Sequence, residues 1–166
     1  MNDLKTRWFS QVDKNCPLPE YPRPQFVRKH WMCLNGEYDY AITAPGIEKP
    51  SEYEGKILVP FSIESSLSGV CKPLLPEQRL WYRRFFTLDD SFAGKRVLLH
   101  FGAVDWKCKV YVNGSLAGGH TGGYSPFSFE ITKLLKTGEN ELVVRVCDPT
   151  DTGWQQRGKQ VLKTHG

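Results

Sequence analysis

Apolar residues recur at every second position through much of the second half of the chain. The clearest run is 107–112, in which each second residue is cysteine or valine. The same period of two appears over 127–131 and over 141–146. Because successive side chains of a β-strand point to opposite faces, this pattern predicts antiparallel strands with one buried and one solvated face.

Turn residues support the same interpretation. Asn113-Gly114 separates 107–112 from 115–120, and Asn-Gly supplies the positive φ values of a type I′ hairpin. Further strands are predicted at 37–43, 56–59, 80–88 and 96–101, with at most one helical turn at 131–135. About eight or nine short antiparallel strands predict an all-β fold, a β-sandwich of the jelly-roll type.

Composition divides the chain into three stretches. Residues 1–25 hold four prolines and no periodicity, which predicts an extended arm rather than a helix. Residues 26–148 hold the predicted strands, and 149–166 form a loop that leaves the sandwich. The chain has 166 residues, and a complete (β/α)₈ barrel needs about 250, so no such barrel fits.

Charge, hydropathy and cysteine spacing exclude several classes of function. The net charge of +4 is small and not clustered, so no nucleic-acid partner is predicted. No apolar run approaches the ~18 residues of a membrane helix, so no membrane partner is predicted. The five cysteines include no Cys-x-x-Cys pair, and no metal site is predicted. A Cys33–Cys71 disulfide is compatible with the sequence without being specified by it.

Seven motifs follow one another in a fixed order between residues 26 and 160. They are WMCLNGEYDY (31–40), VPFSIESSLSG (59–69), LWYRRF (80–85), GKRVLLHFGAVD (94–105), VYVNG (110–114), HTGGYSPF (120–127) and GENEL (138–142). Together they resemble the N-terminal sugar-binding domain of glycoside hydrolase family 2, which includes β-galactosidases, β-glucuronidases and β-mannosidases. The resemblance implies a galactose-binding-domain-like jelly roll.

The resemblance also implies a place in a larger enzyme. Family members continue into an immunoglobulin-like sandwich and a (β/α)₈ barrel, whose two glutamates perform a retaining glycosidase reaction. We therefore expect a non-catalytic domain of a glycosidase in carbohydrate metabolism, which braces the barrel and contributes loops to the sugar subsite. The chain alone should hold no catalytic residue and be inactive. Its implied partners are the carbohydrate substrate and its own downstream domains; no cofactor is implied, although a cation near the sugar subsite is compatible.

The resemblance places the expected sugar-binding residues after the last predicted strand. They are Asp148, Asp151, Trp154, Arg157, Lys159 and Gln160. In family β-galactosidases an aspartate just after this strand binds a sugar hydroxyl or a nearby cation, and both Asp148 and Asp151 stand there. A carboxylate is a strong acceptor for a hydroxyl. The alternative for Asp148 is a local Asp-Pro turn. A local turn is likewise the alternative for Asp151. Packing against a neighbouring domain is the alternative for Trp154, Arg157, Lys159 and Gln160.

Two further functions stay open at the level of sequence. One is a free-standing carbohydrate-binding module of the lectin type, and the other is a pure interdomain interaction module. If the chain docks on neighbouring domains, an apolar patch should be exposed beside 148–160. Free cysteines favour a reducing compartment, whereas the frequent export of polymer-degrading family members favours the periplasm or the exterior. The expectation leans to a periplasmic or secreted protein, with the cytoplasm as the alternative.

Overall fold

Residues 5–162 are the part of the chain that the computed structural model describes. Residues 1–4 of the predicted arm and 163–166 of the predicted C-terminal loop lie outside it. The strands are β1 (Gly36–Thr43), β2 (Gly55–Val59), β3 (Arg79–Thr87), β4 (Leu98–Phe101), β5 (Lys107–Val112), β6 (Ser115–Thr121), β7 (Phe127–Glu130) and β8 (Glu139–Cys147). Short 3₁₀ turns occur at Phe9–Gln11, Pro24–Phe26, Ser66–Ser68, Asp90–Phe92 and Thr132–Leu134.

The strands form two antiparallel sheets. The larger sheet has the order β2-β1-β3-β8-β5-β6, and β4 pairs with β7 in the smaller one. The predicted all-β sandwich of jelly-roll type is confirmed, and so is the pairing of 107–112 with 115–120. β8 is longer than its alternating stretch because it pairs with β3 along one edge and with β5 along the other.

The main core lies between the sheets and consists of the apolar residues that alternate along the strands. Val110 and Val112 are completely buried, and Leu142, Val144 and Val146 on the adjacent β8 are nearly so. Each such side chain contributes about 1.5–3 kcal/mol through its removal from water. The predicted inward faces of these two strands are therefore confirmed.

A second, smaller cluster covers the outer face of the large sheet. Trp81 is 1% exposed there, packs with Ala41 and Val143, and lies under Tyr53 and Tyr111. Its indole N–H donates to the Thr43 hydroxyl across 2.9 Å. This cluster explains the aromatic residue at Trp81, where β3 is buried on both sides, whereas Phe85 on the same face is 45% exposed.

Candidate functional site

One end of the sandwich gathers three loops, which we call the loop rim: 102–106, 122–126 and 148–162. Strand register brings them together, because Lys107 at the start of β5 lies opposite both Thr121 at the end of β6 and Cys147 at the end of β8. In the smaller sheet, Phe101 and Phe127 pair beside the same loops. The segment with the expected sugar-binding residues therefore leaves the sandwich among two other loops.

Close contacts join the loops of the rim. The Gly122 amide donates to the Trp106 carbonyl across 2.7 Å. A Cβ atom on Gly123 would overlap the Asp105 carboxylate, so only glycine lets these two loops approach so closely. The Tyr124 hydroxyl lies 3.7 Å from the place of a Cβ atom on Gly158. The three loops thus form one continuous surface.

Asp148 is 7% exposed and binds groups on both sides of its own loop. One carboxylate oxygen accepts the Thr150 amide across 2.7 Å, and the other accepts the Gln160 side-chain amide across 3.2 Å. The Thr150 hydroxyl donates to the Leu74 carbonyl across 2.7 Å, which ties the segment to the 60–78 connection. The predicted Asp-Pro turn is thus present, and Asp148 also brings Gln160 back to the start of the segment.

The other expected residues fall into two groups. Arg157 donates to the Asp151 carbonyl, and the Asp151 carboxylate accepts the Leu162 amide across 2.8 Å. Trp154 is fully exposed to solvent, and Lys159 is also exposed. The structure thus brings Asp148 together with Gln160 and Asp151 together with Arg157, while Trp154 and Lys159 project outward.

Asp105 belongs to the rim but was not among the residues expected from the sequence. Burial raises the pKa of its carboxyl group, and the nearby carboxylates of Asp148 and Glu64 raise it further. Asp105 lies two residues before β5, and Asp148 directly follows β8. Their proximity follows from the pairing of β5 with β8, which sets Lys107 opposite Cys147, and no spacing along the chain signals it. The only hint in the sequence is that Asp105 ends the GKRVLLHFGAVD motif.

The chemistry available at the rim is that of hydrogen-bond acceptors and aromatic surfaces. A carboxylate oxygen has further acceptor capacity after one hydrogen bond, so the aspartates can still receive hydroxyl donors. Tyr124 is 64% exposed and Trp154 fully so, and such rings pack well on apolar faces. Within residues 5–162, no group of three or more His, Cys, Asp or Glu side chains is arranged to hold a metal ion. No helix in this part of the chain is long and apolar enough to cross a membrane.

Comparison with known proteins gives one family. Residues 1–162 match the family model described as "Glycosyl hydrolases family 2, sugar binding domain". A β-galactosidase of Thermoanaerobacter pseudethanolicus is 47% identical over 66 residues, which cover 40% of this chain and 9% of the relative. A β-galactosidase of Bacteroides ovatus is 34% identical over 125 residues, 75% of this chain and 13% of the relative. The chain thus spans about a tenth of the length of these two relatives.

Solved structures agree with the sequence relatives. A β-glucuronidase of Faecalibacterium prausnitzii matches 78% of this chain and 22% of its own, with a TM-score of 0.61 and 30% identity. A β-glucuronidase of Bifidobacterium dentium, solved with coumarin-3-O-glucuronide, matches 68% of this chain and 19% of its own. Its TM-score is 0.57 and its identity is 32%.

Proposed function

Since this chain belongs to the sugar-binding domain family of the family 2 glycosyl hydrolases, we propose that it is the non-catalytic N-terminal sandwich of a retaining glycosidase. Retaining hydrolysis needs two carboxyl groups about 5–5.5 Å apart, which a downstream barrel would supply. The chain's own task is to brace that barrel and to add the loop rim to the sugar subsite. This role requires no cofactor of the chain's own.

One observation carries the proposal. The family match runs through residue 162, and it therefore includes the segment that β8 delivers to the loop rim. Asp148 and Asp151 anchor this segment by hydrogen bonds, while the Trp154 and Lys159 side chains of the same segment are exposed to solvent. An anchored loop with outward side chains is suited to meet a substrate or a second domain.

Exposed apolar side chains at the rim support the bracing role. Tyr124, Trp154 and Val161 are large and lie mostly in solvent at this end of the sandwich. We take these side chains as the apolar patch expected beside 148–160 for a domain that docks on neighbours. Aromatic residues are enriched in the buried centres of interfaces between proteins. We assign the patch to contact with the barrel.

The relatives suggest the substrate class of the whole protein. Their names are β-galactosidase and β-glucuronidase, so we propose a β-linked galactoside or glucuronide as substrate. Asp151 is our candidate for binding a sugar hydroxyl, since one of its carboxylate oxygens is not committed to the Leu162 amide. Asp148 is our candidate for positioning the loop, because both of its oxygens hold loop atoms.

The test compares aspartate variants in the full-length protein. Aryl β-galactosides and aryl β-glucuronides serve as substrates, and kcat/KM and the unfolding midpoint are measured together. Asp151→Asn should lower kcat/KM about tenfold or more, because a hydrogen bond to a charged group contributes ~1.5–3 kcal/mol. Asp90→Asn is the matched control, since Asp90 is exposed and follows the end of β3 that lies away from the loop rim.

The variants at the two aspartates should differ in their effect on stability. Asp148→Ala should lower both kcat/KM and the unfolding midpoint, whereas Asp151→Asn should leave the midpoint unchanged. Unchanged kcat/KM in both variants would contradict a subsite role. Saturable sugar binding by residues 1–166 without the downstream domains would instead favour the free-standing carbohydrate-binding module.

A further inference from the structure

The N-terminal arm is fixed to the sandwich at the end opposite the loop rim. The side-chain amide of Asn35 donates to the Pro17 carbonyl across 2.9 Å, and Pro17 itself is buried. The Asn15 carbonyl lies so close to Gly36 that a Cβ atom there would be 2.6 Å from it. Residues 15–17 therefore run directly against the start of β1.

This contact brings two cysteines together from separate parts of the chain. Cys16 lies between the two docked residues Asn15 and Pro17, and Cys33 lies two positions before Asn35. Both thiols are half-buried, and Cys33 is close enough to Cys16 to raise the pKa of the Cys16 thiol. Docking of the arm is thus what brings Cys16 near Cys33.

The remaining cysteines lack such a partner arrangement. Cys71 is exposed, and its thiol donates to the Ser65 carbonyl across 3.7 Å. Cys108 is 2% exposed in the core between the sheets. Cys147 ends β8 beside the loop rim, at the other end of the sandwich. All five cysteines are free thiols, so the Cys33–Cys71 bridge that the sequence allowed is not formed in this structure.

Charged groups around the pair act in opposite directions. Burial raises the pKa of the Cys16 thiol, the hydrogen bond with Cys33 raises it further, and Asp13 has the same sign of effect. The Arg84 guanidinium lowers it, and this group also donates to the Asn35 carbonyl across 3.2 Å. The net effect is a raised pKa, and Arg84 offsets part of the rise by placing a fixed positive charge beside the site, where the thiolate is the form that undergoes exchange.

We propose that Cys16 and Cys33 are a covalent oxidation site, which a small disulfide such as oxidised glutathione converts into a disulfide bond between arm and sandwich. One thiolate attacks a glutathione sulfur and releases one reduced glutathione, leaving a mixed disulfide. The second thiolate attacks the protein sulfur of that mixed disulfide and releases the other reduced glutathione. Two protein thiols are oxidised and one glutathione disulfide is reduced, so atoms and electrons balance.

The bond would turn a polar docking contact into a permanent one. Cys16 and Cys33 are 17 positions apart, so the bond closes a short loop that contains the prolines of the arm. Closing a ~15-residue loop shifts an opening equilibrium on the order of 100-fold in the chain-entropy description. Tryptic cleavage within the loop, after Arg28 or Lys29, should consequently slow at least tenfold on oxidation.

The experiment is peptide mapping of the full-length protein after incubation with oxidised glutathione and alkylation of the remaining thiols. Trypsin does not cut before proline, so Cys16 should appear in peptide 15–28 and Cys33 in peptide 30–56. We expect these two peptides to be joined, two hydrogen atoms lighter than their sum, and to separate on reduction. Cys71→Ser is the matched control and should retain the joined pair.

Single variants test the order of events. In Cys16→Ser, the second attack has no thiol, so Cys33 should accumulate as its glutathione adduct; Cys33→Ser should trap the adduct on Cys16. Separate glutathione adducts on both residues of the unchanged protein would overturn the proposal, as would a Cys33–Cys71 peptide or two free thiols. Because the site is remote from the loop rim, glycosidase activity and cross-linking can fail independently.

Discussion

Replacing Asn140 by alanine should destabilise the fold more than any exposed substitution in the same region. Asn140 is 1% exposed and carries four side-chain hydrogen bonds. Its oxygen accepts the Asn113 side-chain amide at 2.7 Å and the Lys136 amide at 2.9 Å. Its nitrogen donates to the Lys136 carbonyl at 3.1 Å and the Gly138 carbonyl at 2.9 Å. The side chain thus joins the β5–β6 hairpin to the turn before β8.

The magnitude follows from what each partner does after the change. A net value of about 1 kcal/mol for each bond gives an upper figure of ~4 kcal/mol. The turn at Lys136 and Gly138 is exposed, so water can solvate its freed backbone groups. The Asn113 amide also keeps the Leu134 carbonyl at 2.8 Å. We therefore expect a loss of roughly 2–3 kcal/mol in the free energy of unfolding.

Urea titration with tryptophan fluorescence measures this loss directly. In thermal unfolding of a domain of this size, a loss of roughly 2–3 kcal/mol corresponds to a fall of about 5–10 °C in Tm. Ser115→Ala is the matched control, since Ser115 is exposed on the same hairpin. A loss of stability for Asn140→Ala no larger than that of the control would refute the argument that the hydrogen bonds of the buried Asn140 side chain hold this hairpin in place.

Substitutions at three further positions test other parts of the fold. Burial raises the pKa of Asp39, but hydrogen bonds from Lys56 and Arg83 outweigh it, so the pKa is lowered in the folded protein. The stabilisation by the Asp39 carboxylate is therefore present above the ordinary pKa of aspartate and is lost as the pH falls through the lowered pKa. Asp39→Asn should make the free energy of unfolding less dependent on pH in that window. Burial and two nearby carboxylates raise the pKa of Asp105, so its charged form destabilises the fold; Asp105→Asn should raise the unfolding midpoint at neutral pH, and this gain should vanish in acid. Trp81→Phe removes a buried indole donor and some packing, and calorimetry should show a loss of about 1–2 kcal/mol, whereas Trp81→Ala should lose roughly 3–5 kcal/mol.

The strands were predictable because their signals are local. The alternation over 107–112 and the Asn113-Gly114 turn define a hairpin without knowledge of distant residues, and the structure has φ values of 50° and 79° at the turn. The end of β3 was predicted one residue late, and β4 was predicted to begin at 96 rather than at Leu98. At β4 the reason is tertiary, since the Val97 amide donates to the Thr132 hydroxyl rather than to a strand.

The candidate site was predictable only as a segment. The family motifs identify 148–160, and an Asp-Pro turn at Asp148 is a local inference that the Thr150 amide confirms. The contact of Asp148 with Gln160 is not local, since the two residues are 12 positions apart and meet only when the segment folds back. Asp105 lies still further from the segment in sequence, and only the pairing of β5 with β8 brings its charge near Asp148.

The exposure of Trp154 links the local structure of the rim to its proposed role. A fully solvated indole leaves a large apolar surface in water, and the loop that carries it is held by hydrogen bonds rather than by core packing. Segments held in this way open at low free-energy cost, so the conformation of this loop would depend on the domain that packs against it. Docking of a barrel on Tyr124 and Trp154 would bury this surface and immobilise the loop in one step. On the proposed function, the domain would complete the sugar subsite only when it is docked, so that bracing and substrate binding would be two results of the same contact.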